Sequence, residues 1–190
     1  MSTTYVALTF PVREKDLPPE LRSFDDVLPF ISSDVATGRT LISSSRNDWL
    51  ASTVTSLAAH LGEPSLGFLV PTGRSPTKDR SGYWWFVSKL DSACIASAIL
   101  GGERLLEYAG QNSEYVATLL DGEDAAQVLE ALRSATPHYD SVRGPKGEED
   151  GDGPFYLFAY LKSLVFLLRY VQEHGHCVIH AKHEHSAPVA

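Results

Sequence analysis

Pro154 to His174 reads PFYLFAYLKSLVFLLRYVQEH, and Gly175 follows it. Apolar side chains occupy most sides of a 3.6-residue period here, so a helix formed by this run must be enclosed. Pro154 suits the first helical position, where a missing N–H is no loss. Gly175 suits the residue that ends the helix. Lys162 and Arg169 interrupt the run, and Tyr156, Tyr160, Ser163 and Tyr170 dilute it. It therefore falls short of a membrane span and reads as a buried core helix. Beyond Gly175, Cys177 to Lys182 (CVIHAK) reads as a final strand, with His183 to Ala190 as a tail.

The segment before this helix, Pro137 to Gly153, is polar and ends in Glu148, Glu149, Asp150 and Asp152. It reads as a flexible acidic loop. Further upstream, Asp121 is positioned to open a helix, with Asp124 in its first turn and Ala125, Val128, Leu129 and Leu132 as the apolar stripe. Glu114 to Leu120 fits a strand or a helix. Asp91 is a candidate N-cap for a helix through Ile95 and Ile99, which Gly101-Gly102 should break or kink. Leu66 to Val70 and Tyr83 to Ser88 read as a hairpin around a long polar loop, Pro71 to Gly82.

Towards the N-terminus, Asn47 caps a helix carrying Leu50, Val54, Leu57, Ala58 and Leu61, and Gly62 ends it. Arg39 to Ser43 suits a short strand. Ser23 suits the cap of a short helix through Ile31. Tyr5 to Phe10 (YVALTF) is a first strand ending at Pro11. Strands and helices do not alternate regularly. The expected fold is α+β: a mainly antiparallel sheet with helices packed on it and one long buried C-terminal helix, in a single domain over 1–190.

The 190 residues carry a formal net charge of −8 and are 43% hydrophobic. That is enough for a core, and the acidic balance disfavours a phosphate backbone, so no nucleic-acid role is expected. Met1 to Phe10 has neither the basic region nor the apolar run of a signal peptide. Two cysteines without a disulfide framework agree with a cytoplasmic protein.

Four groups of residues bear on chemistry. His174, His176, His180, His183 and His185 crowd around Cys177, but their spacing matches no closed metal module, so neither metal nor cofactor is expected. The Pro71 to Gly82 loop carries Arg74, Lys78 and Arg80, which suit an anion, without the spacing of a phosphate-binding loop. Asp150 to Gly153 (DGDG) opens like a calcium loop, yet Phe155, Leu157 and Phe158 then stand where oxygen ligands are needed. Cys94 has apolar neighbours and reads as a buried structural thiol. The fourth group is the aromatic run Tyr83-Trp84-Trp85-Phe86. In a strand, Trp84 and Trp85 face opposite ways, so at most one need be core, and the pair is the candidate binding site. No residue is singled out as catalytic.

Tyr115 to Leu132, Tyr139-Asp140 and Leu164 to Ile179 together resemble the YfbM-like family of small bacterial α+β proteins. The likeness lies in an aromatic ahead of an amphipathic helix, an aromatic-Asp step, and an apolar helix passing through Gly175 into a strand. It spans roughly residues 115 to 180 and implies the fold, without transferring catalytic residues. Acidity, the aromatic strand and the lack of a catalytic motif point to a non-enzymatic, cytosolic protein-binding module. An immunity-type inhibitor of a basic toxin or enzyme is one form of it. The alternative is an enzyme or small-ligand protein with a pocket between the 71–82 loop and the C-terminal histidines.

Overall fold

The computed structural model describes residues 5–21, 24–30, 41–45, 49–69, 77–78, 84–120, 124–137 and 153–184. The strands are β1 (Tyr5–Val12), β2 (Leu41–Ser45), β3 (Thr77–Lys78), β4 (Trp84–Leu90) and β5 (Cys177–Glu184). The helices are α1 (Trp49–His60), α2 (Ile95–Gln111), α3 (Ser113–Thr118), α4 (Ala125–Ser134) and α5 (Pro154–His174). The strands form one sheet in the order β2-β1-β5-β4-β3, every pair antiparallel. The protein is α+β.

The C-terminal strand β5 lies at the centre, paired with β1 on one side and β4 on the other. Alternation divides the sheet into two faces. Leu8, Phe10, Val12, Cys177, Ile179 and Ala181 share one face and form a small core with Val27. The 13–30 segment covers it with Leu17, Leu21 and Phe30. Thr9, Val178, His180 and Leu90 share the other face, under the helices. There α5 is the hub, its side chains buried from Tyr156 to Leu161 and at Leu164, Val165, Leu167, Leu168 and Val171. By length and composition α5 could cross a membrane, but 72% of the relevant stretch is buried inside the protein. Its ends follow the expected pattern: Pro154 sits in the first turn, and Gly175 is left-handed at φ 62°.

Several expectations need correction. Leu66 to Leu69 is not a strand, and Val70 lies outside the described residues; Pro64–Leu69 forms a 3₁₀ turn. A strand would send Leu66 and Phe68 to one face and Leu69 to the other, whereas the turn buries all three in one core. The hairpin partner of β4 is instead β3, from within the polar loop, with Thr77 opposite Trp85 and Lys78 opposite Trp84. Glu114 to Leu120 resolves as helix, in α3. The N-cap of α4 is Asp124, not Asp121. Its carboxylate accepts from the Gln127 backbone while the Gln127 side chain accepts from the Asp124 N–H, a reciprocal capping box. The buried stripe of α4 is Val128 and Ala131, with Leu129 at the exposed margin. The Lys162 ammonium, from α5, donates to the carbonyls of Leu132 (2.6 Å) and Ala135 (2.7 Å) and so closes the other end of α4. Pro11 does not end β1, which continues to Val12; β2 pairs only as far as Thr9, so the absent N–H breaks no bond on that side. His183 and Glu184 belong to β5 rather than to a tail. Asn47, Ser23, Asp121, the 138–152 part of the acidic loop and 185–190 lie outside the described residues.

Gly101-Gly102 does not break α2, which runs unbroken from Ile95 to Gln111. The pair lets α2 approach its neighbours. A Cβ on Gly102 would sit 2.6 Å from Val165 Cγ2, on α5, and one on Gly101 would sit 2.8 Å from Ser65 Oγ. In an open helix, Gly→Ala stabilises by about 1 kcal/mol. Here the overlap falls on a stiff β-branched side chain, and overpacking costs about 1–3 kcal/mol. Gly102→Ala should therefore lower the melting temperature, and Val165→Ala in the same chain should restore part of the loss. A rise in melting temperature for Gly102→Ala would show that the helices are not in this contact.

Candidate functional site

Three groups chosen from the sequence meet at one end of the sheet. β3 brings Thr77 and Lys78, from the basic loop, against Trp85 and Trp84. β5 brings His183 and Glu184 against the same two tryptophans from the other side. One row across the sheet thus reads Thr77, Trp85, His183, Val6, and the next reads Lys78, Trp84, Glu184. The register assigns the tryptophans to opposite faces. The placement of their side chains lies outside what is described. Along β5 the side chains are buried as far as Ala181 and Lys182 is half-buried, whereas Phe86 to Lys89 on β4 are all half-buried. Arg74 and Arg80 lie outside the described residues.

The other reactive groups are occupied by packing. His180 is 1% exposed and leaves the histidine cluster altogether. Thr9 Oγ1 lies 2.9 Å from its Nδ1, and the Tyr160 hydroxyl also reaches Thr9. The Phe68 ring meets the imidazole edge-on at 6.3 Å. The Leu69 backbone lies close to the ring, and Nε2 has no hydrogen-bond partner among the described residues. Burial, and secondarily the charge of Lys182, push His180 down to about 4, with the Leu69 backbone opposing. Burial also raises the Tyr160 hydroxyl far above its ordinary value. Thr9, Tyr160 and His180 thus form a buried polar group between the sheet and α5.

Cys177 is likewise a packing residue. Burial pushes its thiol up to about 11, and Sγ donates to the Val12 carbonyl at 3.3 Å. Nearby, Lys89 bridges Asp91 and Glu14, and Ser92 also donates to Glu14. The hydrogen bonds to Asp91 and Glu14 raise the lysine, and that from Lys89 lowers the glutamate. Asp91 precedes a 3₁₀ turn, Ser92–Cys94, but makes no side-chain cap; its carboxylate is committed to Lys89. Cys94, expected to be buried, is exposed, because it precedes the first inward position of α2, Ile95. His174 stacks on Tyr170 at 4.0 Å and lies 6.0 Å from His176, between ring centroids. Among the described residues no three His, Cys, Asp or Glu side chains are grouped to hold a metal ion.

A second aromatic group was not legible in the sequence. His60 ends α1, Tyr108 lies on α2 and Tyr115 on α3. Their ring centroids are 5.0 Å apart for His60–Tyr115, 5.4 Å for His60–Tyr108 and 6.4 Å for Tyr108–Tyr115. Tyr115 is 40% exposed, and the carboxylates of Glu107 and Glu114 flank the group in sequence and are exposed.

The fold and these sites define an α+β protein with a five-stranded antiparallel sheet and an aromatic row at one end of it. No protein-family model matches the chain, and no curated protein or solved structure matches it either.

Proposed function

We propose that this chain is a non-enzymatic, cytoplasmic protein-binding module that captures a basic protein, in the manner of an immunity protein neutralising a basic toxin or enzyme. The observation that carries the reading is the register of β4. It sets Trp84 and Trp85 on opposite faces at one end of the sheet, in a chain of net charge −8. Large amphipathic rings such as tryptophan serve as anchors of protein interfaces, and an acidic chain supplies long-range attraction to a basic partner. The engagement of His180 and Cys177 in packing agrees with binding rather than catalysis. The likeness of residues 115 to 180 to the YfbM-like family belongs with this reading, supported by the passage from α5 through Gly175 into β5. Neither nucleic acid nor a membrane has a part in it.

A pull-down from host lysate at low ionic strength should return a basic protein. Its association should slow as salt rises, because steering is screened beyond about 8 Å at physiological ionic strength. Trp84→Ala or Trp85→Ala should speed dissociation about tenfold or more. A small-ligand role is the second reading, favoured by the row Lys78, Trp84, Glu184, which brings residues of both charges beside one tryptophan in the sheet. If no protein is captured and a small molecule raises the melting temperature progressively as its concentration increases, that reading replaces the first.

A further inference from the structure

We propose that His174 and His176 form an open, two-imidazole site for a borderline divalent metal ion such as zinc, nickel or copper(II). The site lies at the opposite end of β5 from the tryptophans and is independent of the protein-binding reading. Side chains two positions apart diverge by about 200° in a continuous helix. Here Gly175 intervenes in the left-handed conformation at φ 62°. The turn is pinned by the Gly175 and His176 N–H groups, which donate to the Gln172 and Val171 carbonyls at 3.4 and 3.0 Å. The two rings come to a centroid separation of 6.0 Å with their planes 21° apart. Imidazoles that share one ion through metal–nitrogen bonds of about 2.0–2.1 Å hold their centroids roughly 5–6.5 Å apart. His176 is 6.2 Å from Tyr170, almost its distance from His174, although those two rings stack at 4.0 Å. It therefore stands beside the stack and not over it, so the imidazoles meet edge to edge, the approach that a shared in-plane ion requires.

His174 is also oriented as a ligand. Its Nδ1 lies 2.8 Å from the Tyr170 carbonyl. A carbonyl only accepts, so Nδ1 carries the proton, and the lone pair of the neutral ring is on Nε2. Metal-bound histidines are held in this way, one ring nitrogen donating to a backbone carbonyl while the other binds. Stacking on Tyr170 fixes the ring plane. His174 is exposed and His176 half-buried, so an ion reaches them from solvent. The site stands at the C-terminal end of the 21-residue α5, where the helix dipole favours a cation. Imidazole nitrogen suits zinc, nickel and copper(II), whereas calcium and magnesium take oxygen ligands. The histidine spacing fits no closed four-ligand module; two ligands leave the remaining positions to water or to a donor from outside the chain.

The probe is nickel(II) chloride alone, titrated calorimetrically into the untagged full chain in a non-coordinating buffer. The parent should bind nickel, and His174→Ala and His176→Ala should each weaken that binding about tenfold or more, since either leaves a single imidazole. Tyr170→Phe keeps both the ring and the carbonyl and should retain the affinity. A control pair, His183→Ala with His185→Ala, removes two other closely spaced histidines and should leave the binding in place. Because the site is built by the folded turn, nickel should also raise the melting temperature of the parent and not that of His174→Ala. Melting temperatures without metal confirm that each variant is folded. Unchanged affinity in His174→Ala or His176→Ala, loss of binding in the control pair instead, or no binding at millimolar nickel would overturn the proposal. Binding by the parent without a rise in melting temperature would do so as well, because the unfolded chain would then hold the ion equally well.

Discussion

Leu161→Asp and Leu164→Asp are each expected to abolish recovery of folded, soluble protein. Both side chains are fully buried on α5, within the cluster that joins α2, α4 and the sheet. A carboxylate there has no cation to pair with and either stays charged in an apolar site or takes up a proton at a cost. Either outcome costs several kcal/mol, a large share of the about 5–15 kcal/mol that holds a domain folded. Phe166 lies on the same helix but is 51% exposed. Phe166→Asp should therefore cost far less, about 1 kcal/mol, for the half of the ring that is buried. Soluble yield, far-ultraviolet circular dichroism and urea midpoints of the three variants decide the matter. A Leu161→Asp protein with the parent's midpoint would mean that α5 is not the core helix.

Stability should fall as pH is lowered from about 6.5 to about 4, with His180 as a principal cause. In the folded chain this imidazole titrates near 4, against an ordinary value of 6.5. Between those values the unfolded chain carries a proton there that the folded chain does not, so acid favours unfolding. Above 6.5 both forms are neutral and the stabilisation is complete; below 4 both are protonated and the loss levels off. The whole effect is about 3 kcal/mol. His180→Gln cannot titrate. It should lower stability at neutral pH by disturbing the Thr9 contact, yet show a shallower decline between pH 6.5 and 4. The quantity to follow is the difference in unfolding free energy between parent and variant, from urea titrations at closely spaced pH values. A difference that does not change across that window would show that His180 is not held neutral by the fold.

The apolar run of α5, Pro154 at its start and Gly175 at its end act within a few residues of one another, and for that reason they were legible in the chain. The same holds for the periods of β1, β5 and α1, although β1 continues past Pro11 and β5 past Lys182 because pairing with a neighbouring strand, not a local signal, sets where they end. The Asp124–Gln127 capping box is equally local and marks the start of α4 more accurately than Asp121 does. What the chain could not disclose is every property that depends on a distant partner. Leu66 to Val70 has strand composition, but the neighbouring helices offer one pocket for three side chains, and only a 3₁₀ turn fills it. Gly101-Gly102 resembles a helix break until Val165 and Ser65 are seen to need the space. His180 belonged to a histidine cluster by sequence, and pairing with Thr9, 171 positions away, moved it into the core.

The candidate sites divide in the same way. Alternation in β4 was enough to put Trp84 and Trp85 on opposite faces, because a strand reverses direction at every residue. That Lys78 and His183 flank them follows from strand order, which no local pattern specifies. The His60–Tyr108–Tyr115 patch has no sequence signal at all. Its rings come from three helices, and only the packing of those helices brings them within 5.0 to 6.4 Å of one another. Hydrophobic period and capping chemistry determined the elements. The burial of α5 against all its neighbours decided which residues became core and which were left facing outward.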